Sequence, residues 1–385
     1  MARHVACLRG WHPAMARAEI AALLPQMETN PLNGRRLLEL KGDASIKHLD
    51  EAVAISSGCQ AILCNALIWS WGQHQSLDAL IKSVAKHIAQ HEREGSVAVR
   101  AWRHEGRIEG LGPSQLAQKI GGQFHDLGYD IDLEEPDNRF GVVLDASSNT
   151  IACGWMVGFG EASDGLAGRK AAERPFFKPV SLDPRLARLA VNLSSGPLAR
   201  GTTLDLMTGT GGFLIEAALS GRPSIGLDLD EAMVKGTAKN LEWAFKESGQ
   251  KEHKGVVLHG DATALEHHLP PAMLPIVGFV LDPPYGRNSQ GSLAPLSLLE
   301  QVLESSSRVA SADAGLVLIL PIHPMGEHLD SPLKEGEEID LLHGTWKETE
   351  QALLKAGWRV RGKWVEHVHA SLSRLILHAT IVPQD

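Results

Sequence analysis

A chain of 385 residues is too long for one ordinary hydrophobic core, so two or three domains are expected. At 43% hydrophobic and 22% charged it reads as a soluble globular protein, and no apolar run approaches the length that spans a bilayer. The formal net charge of −9 argues against a general polyanion binder but leaves a local basic surface open.

Cys7, Cys59, Cys64 and Cys153 form no CxxC pair and no zinc or disulfide spacing, so they fit buried thiols in a reducing compartment. Met1-Ala2-Arg3-His4 leads into an amphipathic pattern without a signal-type stretch, and a cytoplasmic protein is expected. His267 with His268, and His367 with His369, lack an acidic or Cys partner spaced to complete a metal site and read as structural or surface residues.

In chain order, strand His4 to Leu8 and helix Met15 to Leu24 flank a turn, and Leu37 to Lys41 is a short strand. Residues 48 to 57 read as helix, Ala61 to Trp71 as strand and Leu77 to His91 as an amphipathic helix. Ser96 to Trp102 alternates as a strand, with Val97 and Val99 inward and Arg100 outward. Ser114 reads as the N-cap of a helix to Leu127, and strands follow at Arg139 to Asp145 and Thr150 to Val157. The first 160 residues thus form an α+β region, in two units divided near residue 75.

Residues 160 to 180 are rich in Gly and Pro and read as a linker. Between 164 and 188 six Lys or Arg face three Asp or Glu, a local excess of +3 that suits either a solvated face or a phosphate backbone. From residue 182 helices and strands alternate, the pattern of a parallel sheet with crossover helices. Asp183-Pro184 opens the first helix, and strands are expected at 203–207, 224–229, 256–259, 276–281 and 315–320. Two closing strands, Trp358 to His369 and Arg374 to Val382, are joined by a tight turn. Residues 331 to 350 carry two Lys against six acids and read as an exposed insertion.

The chemistry concentrates at strand ends. The apolar run Pro275 to Leu281 must stop at Asp282-Pro283-Pro284-Tyr285, because proline cannot donate to a ladder. The tetrad therefore lies at a carboxyl edge, where open α/β sheets bind ligands. An exocyclic amine suits it: Asp282 accepts one N–H, the Pro283 carbonyl another, Pro284 adds rigidity and Tyr285 stacks on the base.

Upstream, Asp205-Leu206-Met207-Thr208-Gly209-Thr210-Gly211-Gly212 ends a strand and opens a helix. A nicotinamide site would place a third glycine at Leu214, so the early acid Asp205 points instead to S-adenosylmethionine, whose ammonium needs an acceptor. Asp228, at the next strand end, suits a ribose diol; Asp261, at the third, suits an adenine amine; Asp230 suits a helix N-cap.

Arg174-Pro175-Phe176-Phe177-Lys178-Pro179, Leu182-Asp183-Pro184, Gly209 to Ala217 and Asp282 to Arg287 closely resemble the archaeal tRNA guanosine-10 N2-methyltransferases. Residues 96 to 157, with Leu111-Gly112-Pro113-Ser114 and Pro136-Asp137, look like the THUMP RNA-binding domain that precedes the enzyme in that family. The resemblance implies a ferredoxin-like unit at 1–75, THUMP at 76–160, a linker at 161–180 and an α/β Rossmann-like methyltransferase at 181–385. It implies S-adenosylmethionine as cofactor, with Phe176, Lys178, Pro179 and Thr210 lining its pocket, and tRNA as partner. One or two methyl groups would go to guanine N2, and Arg100, Arg103, Lys119 and Arg169 are candidate phosphate contacts.

No metal, membrane or obligate protein partner is expected. Met207-Thr208 departs from the aromatic and Cys often found in the family, and the acidic charge is a second departure. The competing readings are methylation of guanine N2 at another tRNA position or in ribosomal RNA, or of adenine N6 in DNA, and an RNA-binding module with a structural methyltransferase half. Relatives acting on other RNA guanines tend to carry Asn where this chain has Asp282, and intact Asp205, Asp228 and Asp282 argue against the non-enzyme.

Overall fold

The computed structural model describes residues 2–72, 76–158, 169–178, 182–284, 295–326 and 328–382. The chain divides into two compact units, Met1–Ala54 with Gly58–Glu161, and Ile55–Ser57 with Ala162–Asp385. Among the described residues no helix is long and apolar enough to cross a membrane.

The first unit is built on β1 (Arg3–Leu8), α1 (Pro13–Leu23), β2 (Glu28–Pro31), β3 (Leu37–Lys41), α2 (Ile46–Ile55) and β4 (Cys59–Ser70). These run βαββαβ, with strands laid β2-β3-β1-β4 and every neighbour antiparallel, which is ferredoxin-like topology. After α3 (Leu77–Gln90) come β5 (Val97–His104), α4 (Pro113–Asp126), β6 (Asn138–Asp145) and β7 (Thr150–Val157). β5 and β6 are parallel, joined through α4, and β7 returns antiparallel to pair with both β6 and β4. The division expected near residue 75 would lie between β4 and α3, where one seven-stranded sheet continues and both sides belong to the same compact unit.

Two local readings are corrected. The N-cap of α4 is Gly112 rather than Ser114, with Pro113 at the first helical position, where its fixed φ suits the helix and its missing N–H costs nothing. β2 was not foreseen, because Glu28-Thr29-Asn30-Pro31 has no apolar periodicity and forms only as an edge strand on β3.

The second unit opens with α5 (Pro184–Ser195), capped by Asp183, whose carboxylate accepts the Arg185 N–H at 2.8 Å. There follow β8 (Thr202–Asp205), α6 (Gly212–Leu219), β9 (Ser224–Asp228), α7 (Glu231–Ser248), β10 (Gly255–His259), a 3-10 helix (Ala262–His267) and β11 (Ile276–Leu281). α8 (Pro295–Val309), β12 (Ala310–Ile322), α9 (Trp346–Lys355), β13 (Trp358–His369) and β14 (Leu372–Ile381) complete it.

The sheet order is β10-β9-β8-β11-β12-β14-β13; the first five strands are mutually parallel and β14 is antiparallel to both neighbours. This is the α/β Rossmann-like methyltransferase arrangement, with its closing antiparallel pair. α8, α9 and the 3-10 helix pack on the core of one face, while α6 and α7 pack together on the other. Covered on both sides, β11 is buried at every position. The chain leaves β8 toward β9 and β10, then crosses back to β11, so the topological switch that opens a ligand crevice lies between β8 and β11.

Residues 331 to 350 are not simply an exposed insertion. Leu333, Ile339 and Leu341 are at most 7% exposed and join the main core, and the Leu333 N–H donates to Lys363 O at 2.8 Å. Three apolar side chains among six acids suffice to fold the segment onto the sheet while its charges stay in water.

The C-terminal end of α5 approaches the sheet so closely that a Cβ on Gly278 would collide with the Ser195 side chain and one on Gly315 with the Ser194 carbonyl. Gly315→Ala should therefore cost about 1–3 kcal/mol of stability, read as a lower urea midpoint at unchanged m, because a backbone carbonyl cannot yield as a side chain does. A wild-type midpoint would show that α5 shifts freely.

Candidate active site

Parallel pairing fixes the centre of the crevice. Asp205 is in register with Val280 and the Leu206 N–H donates to Val280 O at 3.1 Å, so the chain leaves β11 beside the acid that ends β8. Asp205 is 2% exposed; its Oδ2 accepts the Thr208 hydroxyl at 2.8 Å, while Oδ1 is buried without a hydrogen-bond partner of standard geometry among the described residues. Burial pushes this carboxyl up to about 7, and the charges of Asp228 and Asp282 push the same way, against the Thr208 hydroxyl and the Leu214 amide. Asp282 and Pro283 are half-buried and Pro284 is exposed at the crevice edge. Tyr285 and Pro179 lie outside the described residues.

The glycine loop turns as its sequence requires. Gly209 has φ 53° and Gly211 φ 85°, both in the left-handed region, and a Cβ on Gly211 would come within 2.7 Å of Thr237 Cγ2. Leu214, where a nicotinamide fold would want glycine, is a buried core residue. Asp228 holds the loop: its Oδ2 accepts the Gly209 N–H at 2.8 Å and its Oδ1 the Asp230 N–H at 2.9 Å. Burial raises the Asp228 carboxyl, opposed by those same amides. Asp230 caps α7 by accepting the Ala232 N–H at 2.8 Å, and the exposed Leu229 lies between the two acids. Asp261 follows β10 and caps the 3-10 helix, one oxygen accepting the Thr263 N–H and hydroxyl at 2.9 and 2.8 Å.

The segment 169–178 is fastened to this loop by a residue that the sequence did not single out. Asn240 Oδ1 accepts the Phe176 N–H at 2.8 Å, and its Nδ2 donates to Phe176 O at 2.8 Å and Thr210 O at 2.9 Å. Thr237, one turn earlier on α7, donates its hydroxyl to Gly209 O at 2.7 Å. Gly236 leaves room for the Phe176 ring, into which its Cβ would run, and Lys178 Nζ sits 5.7 Å from the centroid of that ring. The available signal was the presence of Thr237 and Asn240 on the buried stripe of an otherwise amphipathic helix.

The candidate phosphate contacts are dispersed. Arg100 and Arg103 stand three apart on β5 and so point to opposite faces, Arg100 donating to Leu133 O at 2.7 Å and Arg103 being exposed. Lys119 is exposed on α4. Arg169 is a weak candidate for RNA, since both branches of its guanidinium are held by Glu216 at 2.8 and 3.1 Å and its side chain is 12% exposed. Among the described residues no group of His, Cys, Asp and Glu is arranged to hold a metal, and the four cysteines are buried and form no disulfide.

The profile of the RMKL-like methyltransferase domain (UPF0020) matches residues 171–331, the span from the fastened segment through the tetrad. A tRNA (guanine(10)-N2)-dimethyltransferase of Pyrococcus abyssi is 32% identical over 264 residues, 67% of each chain. The chain belongs to this family. A second member, from Methanothermobacter thermautotrophicus, is 30% identical over 53% of this chain and 50% of its own length. Among solved structures, TrmN from Thermus thermophilus covers 98% of this chain and all of its own at 18% identity, with a TM-score of 0.45.

The raised carboxyl of Asp205 gives a signed prediction. Its pKa is about 7 in the folded state and about 3.9 unfolded, so the native protein holds a proton that the unfolded chain has lost, and stability falls as pH rises through that window. Asp205→Asn should remove the fall, leaving the variant about 2–4 kcal/mol more stable at pH 8 and little changed near pH 4. Urea denaturation at several pH values would read it. Parallel profiles for the two proteins would sink the idea.

Proposed function

We propose that this chain transfers one or two methyl groups from S-adenosylmethionine to the exocyclic N2 amine of guanosine at position 10 of tRNA. The observation that carries the reading is that Asp282 directly follows the strand that pairs with the strand ending at Asp205, which brings a target-side acid and a cofactor-side acid to one crevice of a chain from this family.

The residues fit the cofactor on one point above all: a cationic amine needs an acceptor, and Oδ1 of Asp205 is a buried acceptor with no hydrogen bond of standard geometry among the described residues. Asp228 would hold the ribose diol, since each of its oxygens takes one amide and keeps a second lone pair. Asp261 would take the adenine amine and exposed Leu229 a face of the ring. Phe176, Lys178, Pro179, Thr210, Gly209 and Gly211 would form the remaining wall. When bound, the cofactor supplies a methyl group on an electrophilic sulfonium.

The protein's task is then to aim a weakly nucleophilic amine. Asp282 accepts one N2–H and the Pro283 carbonyl the other, which turns the nitrogen lone pair toward the donor and gives the departing proton a carboxylate or water to go to. Pro284 holds the turn rigid, and Tyr285 would stack on the base once it has left its helix, a step that costs a few kcal/mol. A crevice built for one base cannot choose one guanine among many, so the first unit is assigned to tRNA recognition, with residues 1–75 ferredoxin-like and 76–160 THUMP-like; of the expected 161–180 linker, the part 169–178 is held against the second unit instead. Arg100, Arg103 and Lys119 of the first unit would contribute phosphate contacts.

Two measurements test the reading. In a panel of tRNA transcripts, replacing guanosine 10 should abolish methyl incorporation while replacements elsewhere leave it; efficient methylation of the position-10 variant would move the target to another RNA or to DNA. Asp282→Ala should keep cofactor affinity and lower the single-turnover rate more than tenfold, about 1.4 kcal/mol in the barrier. A smaller loss would remove Asp282 from the chemistry.

A further inference from the structure

Beside the glycine loop the described residues of the second unit bury more positive charge than they balance. Glu216 on α6 is fully buried and holds two cations at once, Arg169 at 2.8 Å and Arg188 at 3.0 Å. Arg174 packs near the same carboxylate, close enough for Glu216 and Arg169 to act on its charge, and its Nε donates to Arg169 O at 3.3 Å. Its two terminal nitrogens, Nη1 and Nη2, are buried with no hydrogen-bond partner among the described residues, in a side chain whose residue is 4% exposed. One carboxylate thus stands among three guanidiniums. Buried ions persist when paired, and a guanidinium has five donors to satisfy, so this one is incomplete.

The position of the orphaned head says what would complete it. A Cβ built on Gly212 would lie 3.7 Å from Arg174 Nη1, so the head sits at the first residue of α6. The N-cap there is Gly211, which has no side chain to cap the first turn. The positive end of the helix and the planar fork of the arginine converge, and that pairing selects a small planar anion bound through two oxygens.

We propose that Arg174, with the amide end of α6, is the receptor for the α-carboxylate of S-adenosylmethionine. The assignment rests on the cofactor reading above and completes it: Asp205, before the glycine loop, takes the ammonium, and Arg174, at the loop's far end, takes the carboxylate of the same amino-acid group. Glu216 is then a positioning residue, fixing Arg169 and the segment that carries Arg174. A phosphate of the RNA is the competing anion, but a head buried against the glycine loop suits a group that enters the crevice with the cofactor.

Calorimetry on the full chain would decide it, using S-adenosylhomocysteine and its decarboxylated analogue, which keeps the amine. Wild type should bind the carboxylate-bearing ligand about tenfold to a hundredfold more tightly than the analogue, the range expected of a charged hydrogen bond. Arg174→Met should lose that preference by weakening S-adenosylhomocysteine alone, and should melt no lower than wild type without ligand, because it removes a buried guanidinium whose two terminal nitrogens have no partner among the described residues. Arg174→Lys, which keeps the charge without the fork, should fall between them and serves if the methionine variant does not fold.

Unchanged affinity for S-adenosylhomocysteine, or an equal loss for both ligands, would overturn the assignment. Intact cofactor affinity with weakened tRNA binding would overturn it in favour of an RNA phosphate. Wild-type protein that bound neither ligand would instead overturn the cofactor reading itself, and the receptor with it.

Discussion

The parallel pairing of β8 with β11 is the constraint from which the candidate site follows. Because Asp205 is in register with Val280, the ends of two strands far apart in sequence are neighbours, and Asp282 leaves the sheet beside Asp205. Like charges are thereby crowded at the edge of a fully buried strand. The cost appears in Asp205, whose carboxyl is pushed up to about 7 by burial and by its acidic neighbours. A fold selected only for stability would place an apolar residue there. A site that must receive a cation has reason to keep the acid, since the incoming charge restores its ionised form.

Two buried polar fastenings hold the rest of the crevice in shape. Asn240 uses its amide as a two-way clamp on the Phe176 peptide and reaches the Thr210 carbonyl as well, so one side chain joins the helix, the glycine loop and the segment 169–178. Glu216 draws Arg169 and Arg188 into the same neighbourhood. Networks of this kind add little net stability over an apolar core, but they specify one arrangement, because breaking either leaves buried groups unsatisfied. Arg169, Arg174 and Arg188 thus serve inside the second unit while Lys170, Lys178 and Arg185 stay exposed, so half of the basic residues behind the local charge excess leave the surface that it suggested.

The first unit separates what topology provides from what chemistry requires. Its βαββαβ half and its parallel β5–α4–β6 half meet through β4 and β7 in one sheet, so the cores of the two halves are continuous. The cations on β5 alternate in direction with the strand and form no single patch.

The sequence by itself determined most of the elements, though not the edge strand β2, and the strand ends that carry the acids. Apolar runs with proline or glycine stops located β8 to β11 within a residue or two, Asp183 and Asp230 were legible as caps, and Asp205, Asp228, Asp261 and Asp282 were legible as acids at strand ends, because these signals are local in the chain. What only the tertiary structure decided was non-local. Which strand ends adjoin, how far Asp205 is raised, that Asn240 clamps Phe176 to Thr210, that Leu333, Ile339 and Leu341 fold an acidic segment onto the core, and that Arg169 is spent on Glu216 all depend on residues tens of positions apart. A polar residue reads alike in sequence whether it caps a helix, meets solvent or binds a partner across the fold. Packing and burial set the partner and the local dielectric, and those fix its role.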